Sequence, residues 1–411
     1  MITPSYSATA TERVLPRMAL DFTTASLDSR VAITRALDTA TAVNASGYVD
    51  VVNANLPRFD YDPTTLACRG LLIEESRSNV CIQSADIDNV AWSRAGVGVV
   101  GDTVTSPAGT TTGNTVTCSV GSSVHRVIST AGVVVLSTSI THSVFVKAGT
   151  HSFVQIHDGS TGTFYANFNL TTGTVTAVNP VNGATITPYG NGWYKCTLSF
   201  TSGAATSIGA ITIIPDGTSL RNPTWAAAGT ESIYAWGYQI EAGAFATSYI
   251  PTTTGSVTRN ADAVSMTGTN FSDWYNASAG AFVVSADTVS TLGHLFSADS
   301  GATANRIFSY GIAGGGVVAG ITASGTSFYS QTVGSVTSNT PFKTATAYAS
   351  NSANTATNAT IGTTDTTVTL PTVATLRIGG SAAGAYLNGH VRTLSYYNQR
   401  LINAELQAFS K

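Results

Sequence analysis

The chain has 411 residues, a formal net charge of −3 and only 10% charged residues, against about 25% in an ordinary globular protein. That length allows two or three domains of ~150 residues, each able to bury its own core. The 19 Lys and Arg residues form no stripe of the kind that displaces counterions from nucleic acid, and no apolar run approaches the ~20 residues of a membrane span.

The first ten residues, Met1 to Ala10, lack a basic segment followed by an apolar one, so no Sec-type leader is expected. Disorder is excluded by 43% hydrophobic residues. Lysine is nearly absent (Lys147, Lys195, Lys343 and Lys411), and Thr, Ser, Asn and 39 Gly take its place. Helical surfaces favour Glu, Lys, Arg and Gln. β-Branched residues with Gly and Asn turns favour strands, so the fold class is read as all-β. Cys68, Cys81, Cys118 and Cys196 show neither CxxC nor zinc spacing and are read as free thiols acting as small buried hydrophobes.

Three regions follow in chain order. Residues 1–85 hold a large share of the charge, with Pro4, Pro16, Pro57 and Pro63. This predicts an irregular segment that either docks on a neighbouring subunit or wraps onto its own second domain. Residues 86–255 show period-2 alternation: Phe164, Ala166, Phe168 and Leu170 alternate with Tyr165, Asn167 and Asn169. Gly173 turns the chain into Val175–Val178, and Asn191-Gly192 is a hairpin signal before Trp193–Phe200. With Ile211–Ile213 and Ile233–Ile240 this gives seven or eight strands of a jelly-roll sandwich. Trp193 and Trp236 are assigned to its core. Pro251–Ser256 has linker composition and marks a boundary. A second sandwich, 256–411, contains strands at Ala281–Ser285, Arg306–Tyr310, Thr344–Ala349 and Thr375–Ile378. A helix at Leu401–Phe409 is capped by Asn403 and buries Leu401, Leu406 and Phe409 against a sheet edge.

Three passages resemble a family of bacteriophage virion proteins, the head-spike, head-fibre and tail-fibre proteins with lectin-like domains. The first is NANLPRFDYDP at 53–63 with GLLIEESRSN at 70–79, where Ser78 replaces the usual Thr. The second is GNGWYK at 190–195. The third is AWGYQIEAG at 235–243, continued by ATSYIPT at 246–252 and TRNAD at 258–262. The block after residue 256 is similar to concanavalin A-like (laminin-G-like) sandwiches, through Arg377-Ile378-Gly379, Leu387–Arg392 and Tyr396–Leu401. The resemblance implies a protein on the exterior of a phage particle. Its partners would be other virion proteins (capsid, portal or tail), further copies of itself in a closed oligomer such as a trimer, and host-surface glycans. Arg58, Asp60, Tyr61, Asp62, Glu74 and Arg77 are the candidate assembly residues, weighed against polar contacts that lock the segment onto its own chain.

No constellation for catalysis is found: there is no HExxH, Walker loop or GxSxG, and no carboxylate pair spaced for glycoside hydrolysis. Glu74-Glu75 are adjacent and would point to opposite faces of a strand, and Glu405 lies in the terminal helix. His157-Asp158 is the best remaining pair, read as a polar strand end lacking a nucleophile. The Asp158–Thr163 loop offers one carboxylate to a calcium ion, too few for a convincing site. No cofactor or metal is expected. Sugar recognition needs exposed aromatic rings and neutral hydrogen-bonding groups. Trp225, in a polar loop, is the best ring, with Tyr189, Trp274, Tyr275 and Tyr329 behind it. The sequence therefore predicts a non-enzymatic virion display protein. A free-standing lectin and a glycan-degrading tail spike are the alternatives.

Overall fold

The computed structural model describes residues 14–130, 139–159, 163–179, 183–201 and 207–411. It is all-β apart from three short helices at Phe22–Thr24, Thr269–Ser272 and Asn403–Phe409 among the described residues. The chain divides into two compact units, Thr34–Asp262 and a second made of Ala263–Lys411 with the N-terminal residues up to Ile33.

The first unit is a sandwich of two six-stranded antiparallel sheets. One runs Ala184–Pro188, Trp193–Thr201, Ser139–Ala148, Ser232–Ala242, Gly113–Cys118, Val97–Val104. The other runs Thr174–Asn179, Tyr165–Asn169, Phe153–Asp158, Gly209–Ile213, His125–Ser129, Trp92–Ala95. Alternation sorts each strand into an inner and an outer row. Val144, Val146, Val154, Ile156, Ala166, Phe168, Ile211, Ile213, Leu198 and Ile240 meet between the sheets. Two-residue Asn-Gly connections suit hairpins because both residues adopt positive φ. Asn191 (φ 50°) and Gly192 (φ 80°) do so, and Trp193 N–H donates to the Gly190 carbonyl at 2.9 Å. Trp193 and Trp236 are buried as assigned.

The strand count exceeds the seven or eight read from the sequence. Gly-, Ser- and Thr-rich strands such as Gly121–Ser123 and Gly113–Cys118 show little apolar contrast between their faces, so periodicity passes over them.

The second unit is also a sandwich. One sheet contains Thr360–Ile361, Ser352–Thr357, Phe342–Ala349, Ala279–Ala286 and Gly389–Tyr397 in that order, and Met18–Asp21 also pairs with the last. The other contains Ala263–Thr267, Thr375–Ile378, Gly293–Asp299, Arg306–Gly311, Val317–Ala323 and Thr326–Val333. Phe282 and Phe296 stack across the interior with centroids 4.3 Å apart. The terminal helix lies over a sheet face, not an edge. Leu401 and Leu406 are fully buried among Ala281, Ala345, Ala347 and Ala356, with Phe409 packed alongside. Small side chains on that face let the helix approach closely. The cap also differs from expectation. Ile402 is the N-cap, and the Glu405 carboxylate accepts from its backbone N–H at 2.8 Å, so Asn403 is the first helical residue.

The predicted division at 255 and the separate segment 1–85 are both corrected. Residues 34–85 belong to the first sandwich unit, and the linker-like stretch is tied down within it. Thr252 is buried. Its hydroxyl donates to the Cys81 carbonyl at 2.5 Å, and its N–H to Ser84 Oγ at 3.0 Å. Val257–Arg259 pairs with Arg77–Asn79. The first unit ends at Asp262, seven residues beyond the expected division.

Candidate functional site

The six predicted assembly residues turn inward or cap local structure. Arg58 is fully buried. Its Nη1 donates to Glu74 Oε2 at 2.7 Å, to Ser248 Oγ at 2.9 Å and to the Thr41 carbonyl at 3.1 Å. Its Nε donates to Asp262 Oδ1 at 3.2 Å, and its Nη2 also bonds that carboxylate. Arg35 reaches the same Asp262 at 2.9 Å, and Arg259 lies 3.5 Å from Glu74. Burial opposes charge on Glu74, but Arg259 and Arg58 outweigh it and hold the carboxyl far below the usual carboxylate range. Asp60 accepts from Val43 N–H at 2.7 Å. Arg77 pairs with Glu75 and lies over the Phe245 ring at 4.9 Å. Asp62 caps its own turn through Thr64 N–H at 2.9 Å and Thr65 N–H at 2.8 Å, and Tyr61 is half-buried opposite Cys68. Arg58, Asp60, Glu74 and Arg77 are buried within their own unit, so they specify its fold and offer no side chain to another subunit.

The ring candidates are mostly packing residues. Trp274 is buried, edge-on to Phe271 and Tyr396, with its Nε1–H on the Asn270 carbonyl at 2.7 Å. Tyr275 stacks on Phe271 and Tyr348, Tyr189 meets Phe145 edge-on, and Tyr329 is buried. Trp225 is half-buried. Its Nε1–H donates to the Ile213 carbonyl at 3.1 Å, and its ring contacts His125 and His151 at 4.9 and 5.9 Å. Its indole donor is therefore already engaged.

One set of residues has the geometry of a catalytic chain and the wrong proton order. Tyr238, His142, Ser207 and Asp158 are buried in sequence. Ser207 Oγ–H donates to Asp158 Oδ1 at 3.1 Å, so His142 Nε2, 2.8 Å from Ser207 Oγ, must be the protonated nitrogen. His142 Nδ1 then accepts from the Tyr238 hydroxyl at 2.9 Å. A base has to accept the serine proton, and here it donates one. Burial also pushes His142 down to about 4. The His157-Asp158 pair separates, because alternation sends the two side chains to opposite faces. His157 Nε2 bonds Thr212 Oγ1 at 2.9 Å, and burial foremost pushes it down to about 3. Residues 160–162 of the calcium loop lie outside the described residues. Among the described residues no three His, Cys, Asp or Glu side chains cluster as metal ligands. Cys81, Cys118 and Cys196 are buried free thiols, and Cys68 is half-buried.

The outer row of the second sheet of the first unit is polar, and its Thr212, Gln155, Asn167 and His157 are buried. Ladder registers place Arg126, Thr212, Gln155 and Asn167 side by side, and Ala210, His157, Tyr165 and Asn179 in the next row. Loop 214–222 is stitched across it. Gln155 Nε2 donates to Asn167 Oδ1 at 2.7 Å and the Leu220 carbonyl at 3.1 Å. Gln155 Oε1 accepts from Asn222 N–H at 2.7 Å, and Asn167 Nδ2 donates to the Ser219 carbonyl at 2.7 Å. Asp216 fixes the loop by accepting from Thr218 N–H at 2.8 Å. The loop delivers Arg221, whose Nη2 donates to the Asp158 carbonyl at 2.5 Å. Arg126 and Arg221 are both half-exposed. Sequence reasoning noticed the Tyr165/Asn167/Asn169 polar alternation and missed the arginines, which are 95 positions apart and share no motif.

The second unit holds an aromatic cluster in which Phe308 and His294 are buried and Tyr310 is half-buried. Arg306 lies over Phe308 at 4.0 Å, Phe308 is nearly parallel to Tyr310, and His294 is 5.3 Å from Tyr310. Gly320 leaves room for Phe308, since a Cβ there would sit 2.5 Å from the ring.

No protein-family model and no curated protein sequence matches the chain. Solved structures with some likeness include the carbohydrate-binding module CBM40 of Ruminococcus gnavus IT-sialidase bound to alpha2,3 sialyllactose. It is 19% identical over 33% of this chain and 84% of that one, with a TM-score of 0.30. NanB sialidase from Streptococcus pneumoniae is 14% identical over 35% of this chain and 26% of its own, with a TM-score of 0.30. Trypanosoma rangeli sialidase in complex with the inhibitor DANA is 11% identical over 73% of this chain and 60% of its own, with a TM-score of 0.28. At these values the likeness says nothing of ligand or activity. The chain is a two-sandwich β protein.

Proposed function

We propose that this protein is a non-enzymatic, glycan-binding display protein on the exterior of a phage particle. The observation that carries the glycan-binding part is the polar outer face of the first unit. Gln155 and Asn167 are buried and hold loop 214–222, His157 and Thr212 are buried against each other, and the polar groups left at the surface are those of Arg126, Arg221, Thr218 and Asn179. Sugars are bound by such arrays of fixed hydrogen-bonding groups. The virion part rests on the motif resemblance. The motifs PRFDYDP, GLLIEE, TSYIPT and TRNAD contribute Arg58, Glu74, Ser248 and Asp262, which meet in one network. The four motif residues therefore stand together in the fold, although they are far apart in sequence.

A glycan array probed with the whole protein, paired with antibody labelling of intact particles, tests both parts. Retention of defined glycans together with labelled particles is expected. Absence of binding to any glycan removes the first part, and unlabelled particles remove the second. Turnover of host polysaccharide in a reducing-end assay would overturn the non-enzymatic assignment.

A further inference from the structure

We propose that the second unit carries a sugar site of its own, on the outer face of the sheet that contains Arg306–Gly311, where the Tyr310 ring and the Arg306 guanidinium receive a neutral sugar residue. This goes beyond the first-unit surface and rests on the glycan-binding reading for the class of ligand.

Ladder registers lay out the face. Phe308, Gly320 and Ser330 form one row, and His294, Tyr310, Val318 and Thr332 the next. Ile307 and Ile321, at the alternate positions, are fully buried on the opposite side of the sheet. Phe308, His294 and Val318 are buried and make the floor. Arg306 and Tyr310 are half-exposed above it, and Ser330 and Thr332 are exposed.

The floor sets the attitude of the ring. Gly320 has no side chain, and Phe308 occupies the space above it, since a Cβ there would sit 2.5 Å from the Phe308 ring. Phe308 therefore lies across the sheet, and Tyr310 shares its orientation, with 5° between the ring planes. Tyr310 thus lies along the sheet as well and turns a ring face outward. Arg306 is spread over Phe308, 4.0 Å from the ring centroid, which fixes its planar fork beside Tyr310. An aromatic face takes the C–H side of a sugar ring, and a guanidinium donates to several hydroxyls at once.

These groups are uncommitted. Arg306 Nε and His294 Nδ1 are enclosed with no partner in the protein, and unmatched buried polar atoms call for one from outside the chain. Asp299 favours the charge of Arg306, and is itself bonded to Arg377 at 3.1 Å and to Ser297 Oγ at 2.9 Å. With a carboxylate already beside the guanidinium, the face makes no demand for an anion. Burial foremost, with Arg306 nearby, pushes His294 down to about 4, so its imidazole is neutral and offers one donor and one acceptor. Tyr310 and Thr332 are two strand spacings apart, ~10 Å, a row that suits a short oligosaccharide.

The probe is a set of neutral oligosaccharides, oligomers of glucose, galactose, mannose and N-acetylglucosamine, offered to the whole protein at low and high salt. Variants are Tyr310→Ala, Tyr310→Phe, Arg306→Gln and Thr332→Lys, each checked for folding by melting temperature. Thr332 is exposed, so Thr332→Lys crowds the face without touching the core. The wild type should retain at least one oligomer, equally at both salt concentrations. Retention should fall by about tenfold or more in Tyr310→Ala, Arg306→Gln and Thr332→Lys, and Tyr310→Phe, which keeps the ring, should keep most of it. Unchanged retention in folded Tyr310→Ala and Thr332→Lys overturns the inference and leaves glycan binding standing on another surface. Retention abolished by salt overturns the neutral-sugar assignment. Retention of none of these oligomers by the wild type overturns the inference, and the glycan-binding reading falls with it only when the full glycan array is silent too.

Discussion

Arg58 and Asp262 are 204 residues apart in sequence and form a buried, doubly hydrogen-bonded ion pair inside one unit. Glu74 completes the contact at 2.7 Å from the same guanidinium. The arrangement closes the first unit on itself: it joins the strands that begin the unit to the last residues before the second one starts.

Removing Arg58 leaves two buried carboxylates without their main partner. Breaking a buried pair in this way costs about 3–5 kcal/mol. Arg58→Ala should lower the denaturant midpoint by a corresponding amount, read by chemical unfolding. Arg30→Ala is the control, because its pair with Asp28 is partly exposed and such pairs contribute about 0–1 kcal/mol. Equal effects for the two variants would show that the network does not hold the unit together.

Stability should fall on acidification in two stages. His142 and His157 are pushed down to about 4 and about 3, chiefly by burial, from an ordinary value of 6.5. A folded value below the unfolded one means the stabilisation is full above pH 6.5. It is then lost as pH falls through the window toward 4 and 3, at up to about 1.4 kcal/mol per pH unit for each group. Glu74, whose folded value is also depressed, adds a second loss below about pH 4.5. Melting temperatures measured from pH 8 to pH 3 should be flat above 6.5 and steepen twice below it. A flat profile down to pH 5 would contradict the buried, neutral histidines.

Asn167→Ala should loosen loop 214–222 without dismantling the sheet. Asn167 holds the Gly217 and Ser219 carbonyls, and each lost bond of this type is worth about 1 kcal/mol. Limited proteolysis should cut the variant at Arg221 faster than the wild type, with a modest drop in melting temperature. Unchanged cleavage would mean the loop is held by other contacts.

Leu406→Ala tests the terminal helix. Leu406 is fully buried on the alanine-paved face, where removing a leucine side chain costs about 2–5 kcal/mol. The loss should appear in thermal unfolding of the second unit. A loss below about 1 kcal/mol would place the helix at the margin of that unit's core.

Trp225→Ala should lower the melting temperature. The indole donor is engaged with the Ile213 carbonyl and the ring packs on two histidines. A loss of about 1–2 kcal/mol follows from the hydrogen bond and partial burial. Glycan binding lost with no change in melting temperature would return Trp225 to the role of an exposed stacking platform.

The sequence by itself determined the class of the fold, because period-2 alternation and Asn-Gly turns act over a few residues. Phe164–Leu170, Trp193–Phe200 and the Asn191-Gly192 hairpin were legible for that reason. It also singled out Arg58, Glu74 and Asp262 as parts of motifs. Only tertiary structure decided what they do, since an ion pair spanning 204 residues depends on how sheets are ordered, and local pattern does not encode that. The same holds for Asn167 and Gln155, which hold loop 214–222 through carbonyls and an N–H up to 67 positions away. Burial converted Trp274 and Tyr329 from candidate sugar platforms into core, because an aromatic in a polar stretch looks the same in sequence whether its ring faces water or a neighbouring sheet. The low charge leaves the few charged side chains to be read one by one. Arg58, fully paired, fixes the fold.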